Sequence, residues 1–134
     1  MTVQLTKDSI DLGIHVKDRD KSLAFYRDTL GFEQVGEMDM PGGMHMWRLM
    51  CGSSMIKLVN SSKGYKAENP GGGIIGANGY RYWTISVSNL DEIVAKCEAA
   101  GYKVAIPVTM IRPGTSIAMI EDPDGNWVEF LAGG

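Results

Sequence analysis

The chain repeats itself, and the repeat limits what it can fold into. Ile10-Asp11-Leu12-Gly13-Ile14-His15-Val16 and Arg81-Tyr82-Trp83-Thr84-Ile85-Ser86-Val87 both alternate strictly. In the first, Leu12, Ile14 and Val16 fall on one face, with Asp11, Gly13 and His15 on the other. In the second, Trp83, Ile85 and Val87 form the apolar face, and Tyr82, Thr84 and Ser86 the small or polar one. Period-two alternation marks a half-buried strand. Asp11 matches Tyr82 at an offset of 71, and Ile56-Lys57-Leu58 matches Val128-Glu129-Phe130 at an offset of 72. The whole order of elements is duplicated, each half reading strand, helix, strand, strand, strand. A half this small cannot bury its sheet face alone. Two halves, paired within one chain or across a dimer, can enclose a cleft.

In chain order, Asp18 or Asp20 is expected to cap a helix running to about Leu30, with Leu23, Tyr26 and Leu30 on one face and Gly31 closing it. Phe32 to Glu37 reads as a strand, and Pro41-Gly42-Gly43 breaks the chain. Met44 to Met50 and Met55 to Val59 read as a hairpin around Gly52-Ser53. That turn sets Met50 opposite Met55, Leu49 opposite Ile56 and Arg48 opposite Lys57, and facing residues share a side. Trp47, Leu49, Ile56 and Leu58 then form the core side. Met44, Met46, Arg48, Met50, Met55 and Lys57 form the other, with His45 on the side away from Lys57. Residues 60–79, with Pro70-Gly71-Gly72-Gly73, read as a connection between halves. The segment lacks the Lys-Ser/Thr and following helix of a phosphate-binding loop. In the second half, Asn89 with Glu92 fits a capping box, and the helix runs through Ala100 to Gly101. Strands follow near 102–106, 115–120 and 126–131, with Asp122-Pro123-Asp124-Gly125 as the last turn.

The expected fold class is α+β: two βαβββ modules forming a curved, barrel-like sheet around a cleft. One domain over 1–134 is expected, with module one about 9–60, linker about 61–79 and module two about 80–132. The chain is 44% hydrophobic and 22% charged with a net charge of -3, so it has no basic footprint for nucleic acid. No apolar run approaches the ~18 residues of a membrane helix, and residues 1–9 have no apolar core of a signal peptide. A cytoplasmic location is therefore expected, with Cys51 and Cys97 as free thiols. Six of the nine methionines lie between Met38 and Met55. Methionine is flexible and polarisable and suits surfaces that adapt to apolar ligands, although it also fills cores.

Three stretches carry a resemblance to a family: Val16-Lys17-Asp18-Arg19-Asp20-Lys21-Ser22-Leu23-Ala24-Phe25-Tyr26, Leu30-Gly31-Phe32, and Asp122-Pro123-Asp124-Gly125-Asn126-Trp127-Val128-Glu129-Phe130. Together they resemble the vicinal oxygen chelate superfamily, which includes glyoxalase I, bleomycin-resistance proteins and extradiol dioxygenases. In its metal-dependent members four ligands, usually His or Glu, come from the opening and closing strands of each half. By motif, the resemblance places those positions at Asp11, Lys57, Tyr82 and Glu129. Only Glu129 keeps the usual type. A protonated Lys57 has three donors and no lone pair, so the resemblance implies a site in which the ammonium stands where a metal would, between Asp11 and Glu129. No cofactor is expected on this reading, although a divalent metal stays open as an alternative. His15 is about 13 Å along the strand from Asp11, too far to share an ion with it.

The resemblance implies chemistry at these four residues. Glu129 or Asp11 would take a proton alpha to a carbonyl, and Lys57 and Tyr82 would stabilise the enolate oxygen. His15, Arg48, Met46, Met50, Met55 and Trp127 are the expected substrate contacts, Arg48 as a clamp for an anionic group and Trp127 as a stacking wall. The implied activity is isomerase, epimerase or lyase chemistry on a hydrophobic carbonyl compound. Two alternatives stand beside it: a ligand-sequestering protein of the bleomycin-resistance type, and a metal-dependent lyase like glyoxalase I. A homodimer is expected from the resemblance, with no nucleic-acid or membrane partner.

Overall fold

The computed structural model describes residues 1–133. The first half runs β1 (Asp11–His15), α1 (Arg19–Leu23) with a π-helical continuation (Ala24–Thr29), β2 (Glu33–Met40), β3 (Met44–Cys51) and β4 (Ser54–Ser61). The second runs β5 (Tyr82–Ser86), α2 (Leu90–Ala99), β6 (Val104–Arg112), β7 (Thr115–Glu121) and β8 (Trp127–Ala132). The repeat read from the sequence is thus the repeat of the fold. Each half makes a four-stranded mixed sheet, β1-β4-β3-β2 and β5-β8-β7-β6, with the opening strand parallel to the closing one. The expected α+β fold of two βαβββ modules is found, the sheets curving without closing into a barrel. These are two separate curved sheets, because β1 and β5 each end as edge strands with no strand on their outer side.

Both helices pack on the apolar strand faces, and one continuous core joins the halves. Phe25 and Tyr26 are fully buried among Trp47, Leu49, Ile56 and Leu58 of the first half and Ile120, Val128 and Phe130 of the second. Phe25 meets Tyr102 edge-on at 4.7 Å, and Tyr26 lies 6.3 Å from Trp83, so the first helix itself bridges the repeat. The hairpin register is the one the turn predicts: Met50 opposite Met55, Leu49 opposite Ile56, Arg48 opposite Lys57. Gly52 takes φ 60 in that turn. Trp47, Leu49, Ile56 and Leu58 are accordingly buried, while Met44, Met46, Met50 and Met55 are half-buried on the opposite face.

Local expectations shift in four places. The first helix begins as read, with the Asp18 carboxylate accepting from the Asp20 and Lys21 amides. It then widens, because the Thr29 hydroxyl donates to the Ala24 carbonyl and the Leu30 amide reaches back five residues to Phe25. Asn89 precedes α2, but its side chain makes no capping hydrogen bond, so the capping box is not formed. Asp91 and Glu92 still place negative charge in the first turn, where the helix dipole favours it. β2 and β6 run on to Met40 and Arg112. Their register slips let an edge strand continue past a break in pairing.

The connection between the halves is packed rather than slack. The Arg81 guanidinium donates to the carbonyls of Gly71 and Gly73, and the Asn69 amide donates to Asp124 and Asn126. The glycines are there for close approach. A Cβ at Gly76 would sit 2.2 Å from the Gly71 oxygen, and one at Gly73 2.5 Å from the Trp127 ring. Carbonyls, not amides, converge at the centre of this loop, the reverse of what a phosphate would need.

Candidate functional site

The polar strand faces carry two side-chain pairs, one on each sheet. On the first, Lys57 Nζ lies 3.3 Å from Asp11 Oδ2, and Lys7 holds Asp11 Oδ1. β1 and β4 run parallel with Gly13 beside Lys57, and the missing side chain leaves room for the ammonium to reach along the strand. Lys7 foremost, with Lys57, holds the Asp11 carboxyl below the ordinary carboxylate range. Asp11 is therefore a weak base and a firm anchor. On the second sheet, Thr84 Oγ1 donates to Glu129 Oε1 at 2.7 Å, the two residues being direct neighbours in the β5–β8 register.

Among the described residues, no ion pair or hydrogen bond links the Asp11–Lys57 pair to Glu129. The expectation that Lys57 sits between the two carboxylates is thus met on the Asp11 side only. Tyr82 lies opposite Trp127, two residues along the register from Glu129, and is about half exposed. Thr84 is the hydroxyl that reaches Glu129. Alternation puts Thr84 on the polar face of its strand, and the pairing with β8 gives it Glu129 as a partner.

Between the edges of β1 and β5 lies a cleft of about 1190 Å³, whose walls include His15, Tyr82, Trp83, Trp127 and the loop residues Tyr65 and Asn69. His15 and Trp127 thus reach the cleft as expected. Tyr65 is a residue the sequence did not single out. Its hydroxyl is 3.1 Å from His15 Nδ1, accepts from the Ser61 amide, and ties the connecting loop to the end of β1. Trp127 is held by its indole N–H donating to Glu121 and by Gly73 packing on its ring. Met46, Met50, Met55 and Arg48 do not line this cleft. They share the open face of the first sheet with Lys57, in the register described above.

The turn before Trp127 is set by a buried carboxylate. Asp122 Oδ1 accepts from the Asp124 and Asn126 amides, and Oδ2 accepts from the Asn126 amide group and, at 2.6 Å, from the Tyr26 hydroxyl. The tyrosine of one motif and the aspartate of the other are thus a single structural clamp between halves. Burial foremost, with the Asp122 charge beside it, pushes the Tyr26 hydroxyl well above its ordinary range.

A family model for the Glyoxalase/Bleomycin resistance protein/Dioxygenase superfamily matches residues 9–130. The chain belongs to this superfamily. It is 29% identical over 124 residues to a probable lactoylglutathione lyase of Synechocystis, covering 88% of this chain and 89% of that one. It is 28% identical over 127 residues to the lactoylglutathione lyase of Haemophilus influenzae, covering 88% and 87%. Among solved structures, a glyoxalase family protein from Bacillus cereus superposes with a TM-score of 0.82 at 16% identity, covering 97% of this chain and 95% of that one. A glyoxalase I mutant from Zea mays gives 0.76 at 20% identity, covering 90% of this chain and 43% of that one. At these identities the two structures establish the fold.

By motif, the resemblance places the metal-ligand positions of relatives at Asp11, Lys57, Tyr82 and Glu129. The donor set does not fit a dication. One position is an ammonium paired with Asp11, with three donors and no lone pair, and a second is a phenol. Among the described residues, no three His, Cys, Asp or Glu side chains are grouped to hold an ion. His45 is taken elsewhere: on the helix-facing side of the sheet its two ring nitrogens lie 2.6 Å from Asp39 and 2.7 Å from Glu37. No helix among the described residues is long and apolar enough to cross a membrane.

Proposed function

We propose that this superfamily member catalyses proton transfer on a hydrophobic carbonyl compound without a metal, as an isomerase, epimerase or lyase. The observation that carries the reading is the Lys57 ammonium docked on Asp11 at a ligand position of metal-dependent relatives. Glu129 takes the proton from the carbon alpha to the carbonyl. Lys57, aimed by Asp11, donates to the carbonyl oxygen as charge develops on it, the task a cation serves in such reactions. The same Glu129 returns the proton to the enolate carbon or its neighbour. Thr84 orients Glu129, and Tyr82 offers a second hydroxyl to the oxygen. A preformed ammonium on a sheet face changes little in position as the oxygen charges, so its attraction is greater in the transition state than in the ground state.

Lys57 and Glu129 sit on different sheets, and both edges that could bring the faces together are open. A second copy of the chain, setting one sheet of each against the other, completes the site. The half-buried methionines and Trp127 supply the apolar lining, and homology to lactoylglutathione lyases supports lyase-type proton transfer on a carbonyl substrate. A second reading, sequestration of a ligand without chemistry, is favoured by the size and aromatic walls of the cleft. Exchange of substrate alpha-protons with solvent deuterium separates the two. Lys57→Ala is expected to slow that exchange by about 10²–10³-fold, the effect of removing one oxyanion donor. Turnover at the wild-type level in Lys57→Ala, or activity that tracks stoichiometric bound metal, would overturn the proposal.

A further inference from the structure

Gly13 sits in the middle of β1, and the fold itself does not require a glycine there. Its φ is outside the left-handed region, and a Cβ built on it would meet nothing within 4 Å. A glycine inside a strand costs about 0.5–1 kcal/mol relative to alanine. Gly13 lies on the wall of the cleft between β1 and β5, so the missing side chain leaves open floor in that cleft. Trp127 belongs to the same cleft from the other sheet. Its ring is braced by Gly73, and its N–H is held on Glu121. A ring already fixed loses little rotamer freedom when a ligand stacks on it. A bare stretch of strand and a fixed indole in one cleft suit a flat ring.

The charged groups of the cleft are already engaged. Lys17 Nζ is 2.7 Å from Glu68, Arg81 donates to the Gly71 and Gly73 carbonyls, and the Asp124 carboxylate takes the Lys17 amide at 3.3 and 3.4 Å. Two cations and two carboxylates balance, so the cleft suits a neutral ligand. His15 supplies the polar contact. Its Nδ1 is 3.1 Å from the Tyr65 hydroxyl, which accepts from the Ser61 amide. The carbonyls nearest that hydroxyl, Val16 at 3.5 Å and Val59 at 3.4 Å, already take shorter bonds from the Asn60 side chain at 2.7 Å and the Val16 amide at 2.8 Å. The hydroxyl proton therefore goes to Nδ1, and the imidazole hydrogen sits on Nε2, a donor with no partner among the described residues.

We propose that this cleft binds a neutral, planar aromatic compound carrying a hydrogen-bond acceptor. Its ring lies on the floor at Gly13 against Trp127, and its acceptor takes the Nε2 hydrogen of His15. This deepens the second reading above, binding in the cleft, and rests on that reading rather than on Lys57. Gly13 sets the shape the cleft admits, and Tyr65 positions His15 without touching the ligand's acceptor.

The test measures binding to the intact protein by calorimetry for methyl benzoate, ethylbenzene and methyl cyclohexanecarboxylate. The first has ring and acceptor, the second the ring alone, and the third the acceptor without a flat ring. Methyl benzoate has no hydrogen on the carbon beside its carbonyl, so it binds without the reaction proposed for Lys57 and Glu129. Wild type is expected to bind it about 3–10-fold more tightly than the cyclohexane ester, the value of an aromatic pair. His15→Phe is expected to cost methyl benzoate about 3–10-fold, one neutral hydrogen bond, and ethylbenzene nothing. Gly13→Val fills the floor and is expected to weaken both by about tenfold or more while unfolding at the same or a higher temperature. Nitrogen-15 NMR of the His15 ring is expected to place the hydrogen on Nε2 in wild type and to show a mixture of both forms in Tyr65→Phe. Equal affinities for the two esters, wild-type binding of methyl benzoate in Gly13→Val, or hydrogen on Nδ1 of His15 would overturn the proposal. Saturable ethylbenzene binding with methyl benzoate unaffected by His15→Phe would strike this proposal and spare the cleft, and no saturable binding of any probe at millimolar concentration would strike both. Deuterium exchange that fails while methyl benzoate binds as stated would remove the catalytic reading and leave the cleft site standing.

Discussion

Tyr26→Phe removes a single oxygen from the clamp that joins the two halves. Tyr26 is fully buried, Asp122 is 4% exposed, and the hydroxyl donates to Oδ2 at 2.6 Å. Phenylalanine keeps the ring and its contacts with Phe32 and Trp83, so no cavity larger than the oxygen results. A hydrogen bond to a charged group contributes about 1.5–3 kcal/mol. Asp122 Oδ2 keeps the Asn126 donor, and Oδ1 keeps two backbone donors, which places the expected loss near the lower end, about 1.5–2 kcal/mol. For a chain of this size that is a drop of roughly 5–10 °C in Tm. Urea unfolding of wild type and variant at neutral pH measures it, with the slope expected to stay constant because the buried surface is the same. The double variant Tyr26→Phe/Asp122→Asn is expected to be less destabilised than the sum of the singles, since the two groups interact directly. A loss under about 0.5 kcal/mol for Tyr26→Phe would refute the clamp, since it would place the bond in the range of an exposed pair.

Two other perturbations read the surface and the connecting loop. Asp39 foremost, with Glu37, raises the His45 pKa above the ordinary 6.5, so the stability its charged form contributes is complete below 6.5 and is lost as pH rises through the raised value. The stability difference between wild type and His45→Gln is therefore expected to be flat from about pH 5 to 6.5 and to shrink above it. A difference that grows with pH would contradict the double contact. Gly76→Ala places a methyl against the Gly71 carbonyl and the Arg81 guanidinium, with backbone on one side that cannot turn away. Its expected cost is about 1–3 kcal/mol, seen in denaturant unfolding together with faster proteolysis between residues 66 and 80. Wild-type behaviour in both would mean that the loop is not packed as described.

Much of this molecule was legible from residue pattern. Period-two alternation and the Gly52-Ser53 turn act over a few residues, so the hairpin register, and with it the face shared by Arg48 and Lys57, follows from the residues alone. Duplication of the element order established the two halves, and the motif resemblance to the superfamily is what placed Lys57 at a ligand position. Pattern failed where the deciding partner is distant in the chain. Tyr26 and Asp122 are 96 residues apart, and nothing near either one signals a buried clamp. Thr84 was one polar residue among three on its strand until the parallel pairing with β8 put it beside Glu129. Gly36 looked like any strand glycine until the sheet laid a guanidinium across it.

Residue pattern alone therefore fixes the local periods, the turn geometry and which residues share a face. These depend on backbone stereochemistry and burial of apolar area, which every short segment carries with it. Which polar groups meet depends on the folded chain. It joined Lys57 to Asp11 rather than to Glu129, kept the halves as two sheets, and left Arg48 Nε buried without a hydrogen-bond partner among the described residues. Electrostatic pairing depends on separations of a few ångströms between elements far apart in sequence. Those separations exist only once the core has brought the two copies of the repeat together.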